Sequence, residues 1–143
     1  MFCYPVMLEY THDTDEYIAE FPDVPGVYSV GDTEDEALLN AVDALETAFH
    51  YLVLERKPVP LASALNGRHG VIVPVLTSAK VALHNAMLSN GVRKADLARR
   101  LNIAPTLVDR LLSLKHKSRI EQVESALALL DVKLVVEVTK ACE

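Results

Sequence analysis

Arg93-Lys94-Ala95-Asp96-Leu97-Ala98-Arg99-Arg100-Leu101-Asn102-Ile103-Ala104-Pro105-Thr106-Leu107-Val108-Asp109-Arg110-Leu111-Leu112 reads as two short helices set across a tight turn. Leu97 and Ala98 face inward from the first helix, and the small Ala98 lets the second cross closely. Asn102-Ile103-Ala104 is the turn. Ile103 plugs it, and Asn102 tolerates the left-handed backbone better than most residues. Pro105 suits the first turn of the following helix, where its missing N–H costs nothing. Val108 and Leu111 bury that helix and leave Thr106, Leu107, Asp109 and Arg110 on its outer face. That face is where the recognition helix of a helix-turn-helix meets base edges in the major groove. Lys94 stands near the start of this expected site. Between Arg93 and Arg119 there are eight bases and two acids. Contacts from such groups to phosphates dominate DNA affinity and make it salt-dependent. Lys115, Lys117 and Arg119 are the expected phosphate ligands, with Arg99 and Arg100 equally readable as solvated helix residues. A Leu-Ala pair alone would fit any small helical bundle with a basic solvated face. The turn, the Val-x-x-Leu spacing and the flanking charge together favour DNA binding.

Outward from this core, the pattern predicts a helix over Ser78–Leu88, stopped by Ser89-Asn90-Gly91. Ser118-Arg119-Ile120-Glu121 has the form of a capping box. It opens a helix with Ile120, Val123, Leu127 and Leu130 on one face. Val132, Leu134, Val136 and Val138 alternate with Lys133, Val135, Glu137 and Thr139, which predicts a C-terminal strand. That strand has no obvious partner in its own module. It would pair either with a second chain across a two-fold axis or with Val71–Val75.

The first half reads differently. Tyr4, Val6, Leu8 and Tyr10 alternate with Pro5, Met7, Glu9 and Thr11, a strand with one buried face. After a polar turn at His12–Asp15, Tyr17–Phe21 returns as a second strand. Pro22-Asp23-Val24-Pro25-Gly26 is loop punctuation, and Val27–Val30 is a short third strand. Thr33-Glu34-Asp35-Glu36 is a capping box opening a helix with Leu38, Ala41, Val42, Leu45, Ala48, Phe49 and Leu52 at three-to-four spacing. Arg56–His69 is an irregular connection, and Gly70–Val75 a further strand that Pro74 demotes or ends.

Charge divides the 143-residue chain in the same place. Residues 1–70 hold thirteen acids and three bases, a net of −10, while residues 71–143 hold eleven bases and seven acids, a net of +4. The expectation is two modules with different partners, 1–70 and 71–143. No run approaches the ~20 apolar residues of a membrane span, and MFCYPVMLEY lacks the marks of a signal peptide. A soluble, cytoplasmic protein with no membrane partner is expected. Two cysteines near opposite ends, Cys3 and Cys142, are then expected to be reduced. With no C-x-x-C and scattered histidines, neither a metal site nor a cofactor is expected.

Tyr4-Pro5-Val6, then Glu16-Tyr17-Ile18-Ala19-Glu20-Phe21-Pro22-Asp23-Val24-Pro25-Gly26-Val27, then Gly31-Asp32-Thr33-Glu34-Asp35-Glu36-Ala37 resembles, in order and spacing, the HicB antitoxin family. The resemblance covers residues 4–55. Arg68–Val138 is similar to the longer branch of that family, which carries a phage-repressor-like helix-turn-helix. The resemblance implies an α+β protein. Its first domain (1–70) would be a reduced ribonuclease-H-like β-β-β-α-β fold. Its second (71–143) would be an all-α DNA-binding and dimerisation domain ending in a strand. It further implies that the chain neutralises HicA, a small basic RNA-cleaving toxin, and represses its own operon as a homodimer or higher oligomer on operator DNA. Asp13, Asp15, Glu16, Tyr28, Glu34 and Asp35 are the expected toxin contacts, although each also reads as a solvated turn or capping residue. An enzyme is not expected. The carboxylates a metal nuclease would need are each explained by turns, prolines or a helix start. The alternative is an operator-binding regulator whose first domain senses a ligand.

Overall fold

In the computed structural model, which describes residues 2–140, the elements follow the order β-β-β-α-β and then four helices. Strands β1 (Cys3–Thr11), β2 (Glu16–Glu20), β3 (Tyr28–Gly31) and β4 (His69–Ile72) form one antiparallel sheet in the order β3-β2-β1-β4. Helix α1 (Glu34–Leu54) lies between β3 and β4 in sequence, and α2 (Val75–Ser89), α3 (Lys94–Leu101), α4 (Pro105–Leu112) and α5 (Ile120–Leu129) follow. The chain divides into two compact units. One holds the sheet, with α1 up to Ala48 and the segment Pro60–Val73; the other holds Phe49–Val59 and Pro74–Glu137.

Cys3 to Val6 are all buried, so the start of β1 is covered on both faces, and Tyr10 is exposed; the expected single buried face is seen only in part. Tyr4 and Val6 are buried, as are Ala19 on β2, Ser29 and Gly31 on β3, and Val71 on β4. The register Leu8↔Ala19 and Ala19↔Ser29 puts them on one face. Helix α1 buries Ala37, Ala41 and Leu45, one residue per turn. It is tied to β3 by Ser29 Oγ donating to the Ala37 carbonyl at 2.7 Å and by Asn40 Nδ2 donating to the Val30 carbonyl at 2.9 Å.

The start of α1 follows from its sequence. Thr33 Oγ1 accepts from the Glu36 N–H at 3.1 Å, and a Glu36 carboxylate oxygen accepts from the Asp32 N–H at 3.1 Å, one residue earlier than the usual box. A side chain at Gly31 would place its Cβ 2.4 Å from the Ala37 backbone nitrogen, so only glycine lets the strand end this close to the helix. By length and composition α1 is apolar enough to cross a membrane, against the expectation that no run is. Its buried Ala37–Ala41–Leu45 stripe and its Glu34, Asp35, Glu36, Asp43 and Glu46 are those of an amphipathic helix against a sheet.

The Arg56–His69 connection is irregular but held. The Tyr4 hydroxyl donates to the Pro60 carbonyl at 2.6 Å, and an Asp23 carboxylate oxygen accepts from the Ser63 N–H at 2.8 Å. Burial, with the Asp23 carboxylate nearby, pushes the Tyr4 phenol up to about 12. In the second unit, Asn85 exchanges two hydrogen bonds with the Val59 backbone, at 2.9 and 3.0 Å, and the His84 ring meets the Lys57 carbonyl at 2.7 Å.

Four expectations are corrected. Helix α2 begins at Val75, not Ser78, because Pro74 takes the cap position and its carbonyl accepts from the Ser78 N–H at 2.9 Å; β4 accordingly ends at Ile72. The Ser118 capping box does not form: Arg119 is the N-cap of α5 without a side-chain bond, and Ser118 Oγ donates backwards to the Arg110 carbonyl at 3.1 Å. The C-terminal strand over Val132–Val138 is absent. Val132 and Leu134 lean on the helical core, while Val135, Val136 and Val138 are exposed, and β4 pairs with β1 instead. Cys3 is disulfide-bonded rather than reduced; Cys142 lies outside the described residues.

Candidate functional site

Helices α3 and α4 pack as their sequence predicts. Leu97, Ala98, Val108, Leu111 and Leu112 are buried in one cluster with Leu83 and Met87 of α2 and Val123, Ala126 and Leu127 of α5. Ile103 packs against the same cluster. Each fully buried Val or Leu contributes ~1.5–3 kcal/mol, which anchors two eight-residue helices too short to be stable alone. Asn102 closes α3 with φ 55° and ψ 48°, the left-handed cap, while the Ile103 N–H reaches the Ala98 carbonyl at 3.0 Å. Pro105 takes the first position of α4.

At about 100° per residue, Thr106 and Arg110 stand opposite the buried Val108–Leu111–Leu112 side, with Asp109 and Leu107 to either flank. All four are exposed, as are Lys94, Lys115, Lys117 and Arg119. The structure brings Lys94 and Asp109 together as an ion pair at 2.7 Å, each about half exposed. It also pairs Arg99 with Asp96, whose other carboxylate oxygen accepts from the Arg93 N–H at 3.1 Å. Exposed pairs of this kind stabilise little, but they occupy three of the groups expected near DNA. Among the described residues, no salt bridge involves Arg100, Arg110, Lys115, Lys117 or Arg119. Leu107, Arg110, His116 and Ser118 line a shallow cavity of about 310 Å³ where α4 and α5 meet.

Sequence reading missed Lys80. It is 1% exposed, in the middle of α2. Its ammonium donates to the carbonyls of Arg110, Ser113 and His116 at 3.0, 2.7 and 2.6 Å. Burial lowers its pKa to about 8. The available signal was position: Lys80 falls on the same stripe as Leu76, Leu83 and Met87, three to four residues apart.

On the sheet unit, the register separates the expected contacts. Glu16 and Tyr28 share the uncovered face with Met7, Glu9, Ile18, Glu20 and Val30. Met7 is 44%, Tyr28 62% and Val30 39% exposed, an apolar strip flanked by carboxylates. Asp13 and Asp15 lie at the β1–β2 turn, where Asp15 takes φ 58°, and Glu34 and Asp35 sit exposed in the first turn of α1. These four are not gathered with Tyr28. Asp23 is engaged by Ser63.

Residues 3–82 match the model of the HicB-like antitoxins of bacterial toxin–antitoxin systems. The chain belongs to that family of antitoxins. It is 41% identical over 121 residues to Antitoxin HicB of Pseudomonas fluorescens, covering 83% of each chain. It is 40% identical over 124 residues to Antitoxin HicB 2 of Photorhabdus laumondii, covering 87% of each. With Antitoxin HicB of Escherichia coli K12 the identity is 35% over 119 residues, 82% of this chain and 86% of that one.

Proposed function

We propose that this antitoxin silences a HicA-type RNA-cleaving toxin through its sheet unit and represses its own operon through sequence-specific DNA binding by α3 and α4, acting without catalysis of its own. In this reading the sheet unit is a reduced ribonuclease-H-like fold, residues 1–70 are the toxin-binding domain, and the remainder is a helix-turn-helix domain in a cytoplasmic homodimer. The toxin seat is the uncovered sheet face. Tyr28, Met7 and Val30 offer apolar anchorage, and Glu9, Glu16 and Glu20 complement a basic partner and speed its capture. Occlusion of the toxin's RNA-binding face suffices for neutralisation.

The observation that carries the DNA reading is the outward arc of α4: Thr106 and Arg110 exposed at its centre, beside bases that make no salt bridge among the described residues. Lys94 and Asp109 act there as a pair, Lys94 steadying Asp109 rather than reading DNA separately. The operator is expected to be an inverted repeat with half-sites about one helical turn apart. Gel shifts on DNA upstream of the gene test this. Arg110→Ala should relax sequence preference, whereas Lys117→Ala should weaken all sequences alike and flatten the salt slope by about one. Full operator binding by both variants would refute the assignment.

A further inference from the structure

We infer that Lys80 is a positioning residue for DNA recognition. From inside α2 its ammonium fixes the C-terminal end of α4 and the Ser113–His116 turn, and so sets the pose of Arg110, Lys115 and Lys117. The inference rests on the DNA-binding reading above.

Helix α4 ends at Leu112, so its last carbonyls have no partner further along the helix. The turn that follows has no regular ladder of its own. Three carbonyls, from the last turn of α4, its C-cap and the turn beyond, converge on one nitrogen within 3.0 Å. A tetrahedral ammonium has three N–H donors, one for each. The same Arg110 carbonyl takes a fourth tie from Ser118 Oγ, which is also 3.2 Å from His116 Nδ1. The segment that carries Arg110, Lys115 and Lys117 is therefore gathered on one buried charge.

A buried cation is an expensive way to hold a turn, and an apolar side chain of similar volume would often be as stable or more so. What the cation adds is direction. It attracts carbonyl oxygens from three peptide units into one geometry, whereas an apolar group would let α4 and the turn settle in several. Lys80 itself is buried, so it makes no phosphate contact and contributes nothing to the salt slope.

The test compares full-length wild type, Lys80→Met and Lys80→Arg on operator and on scrambled DNA of the same length, at several salt concentrations. Wild type must first discriminate; if it does not, the DNA reading fails before this one is reached. Given discrimination, Lys80→Met should lose about tenfold in the operator-to-scrambled ratio at an unchanged salt slope. Lys80→Arg, which keeps the charge and donors, should stay within about threefold of wild type. A folded Lys80→Met that discriminates like wild type overturns the inference, as does an equal loss in both variants. Should Lys80→Met not fold, Lys80→Gln takes its place, because its planar amide offers two donors where the ammonium offers three. It should lose about threefold in discrimination at an unchanged salt slope, and a folded Lys80→Gln that discriminates like wild type would overturn the inference.

Discussion

The Lys80 ammonium is buried against three backbone carbonyls. Its pKa is lowered from 10.5 to about 8 by burial. Between those values the unfolded chain holds a proton that the native chain has released, so the native state gains as pH rises. Below pH 8 both states are charged and the buried ammonium carries its full desolvation cost. The stability of wild type relative to Lys80→Met should therefore rise by on the order of 1–3 kcal/mol between pH 8 and 10.5. Urea unfolding at several pH values reads this directly, and a flat or falling difference would contradict the burial argument. Asn102 and Gly31 were both present in the motifs as read. Asn102 was legible as a left-handed turn residue because that requirement is local. The close approach at Gly31 was not, because the Ala37 backbone it must clear belongs to a neighbour whose path the sequence does not state.

At the scale of elements, the two capping boxes make the same point. Thr33-x-x-Glu36 and Ser118-x-x-Glu121 look alike in sequence, and only the first caps its helix. Thr33 Oγ1 accepts from the Glu36 N–H, whereas Ser118 Oγ turns back to the Arg110 carbonyl that Lys80 also holds. Thr33→Ala should cost about 1 kcal/mol, and Ser118→Ala distinctly less, since the Arg110 carbonyl it meets keeps its bond from Lys80. Equal costs in denaturant titration would contradict this distinction. The pairing of α3 with α4 was legible throughout because its buried residues repeat at helical spacing across a short turn. The C-terminal alternation was misleading. It states which side chains share a face but does not supply a neighbouring strand, and in this chain Val132 and Leu134 pack on the helical core instead.

For the whole molecule, that same tail bears on assembly. Val132 and Leu134 serve the helical core, while Val135, Val136 and Val138 are 76%, 57% and 95% exposed. An extended apolar segment without a ladder is suited to pairing with its counterpart in a second chain. A truncation after Leu134 keeps the core contacts and should sediment as a smaller species than the full chain. An unchanged oligomer would place the interface elsewhere. The opposed charges of the two halves were legible from composition alone, but which side chains share a face was not. The register was needed to bring Glu16 and Tyr28 together and to leave Asp13, Asp15, Glu34 and Asp35 apart.

In the proposed function toxin silencing and operator binding reside in different units, and a crossed comparison in the full chain separates them. Tyr28→Ala combined with Glu20→Lys alters only the uncovered sheet face; Arg110→Ala alters only the outward arc of α4. RNA cleavage by the partner toxin and operator binding are measured for each. The double variant should release the toxin by at least tenfold while binding operator like wild type, and Arg110→Ala should silence the toxin fully while losing operator preference. A wild-type chain that leaves the toxin active, or either variant losing both functions while folded, would contradict the account.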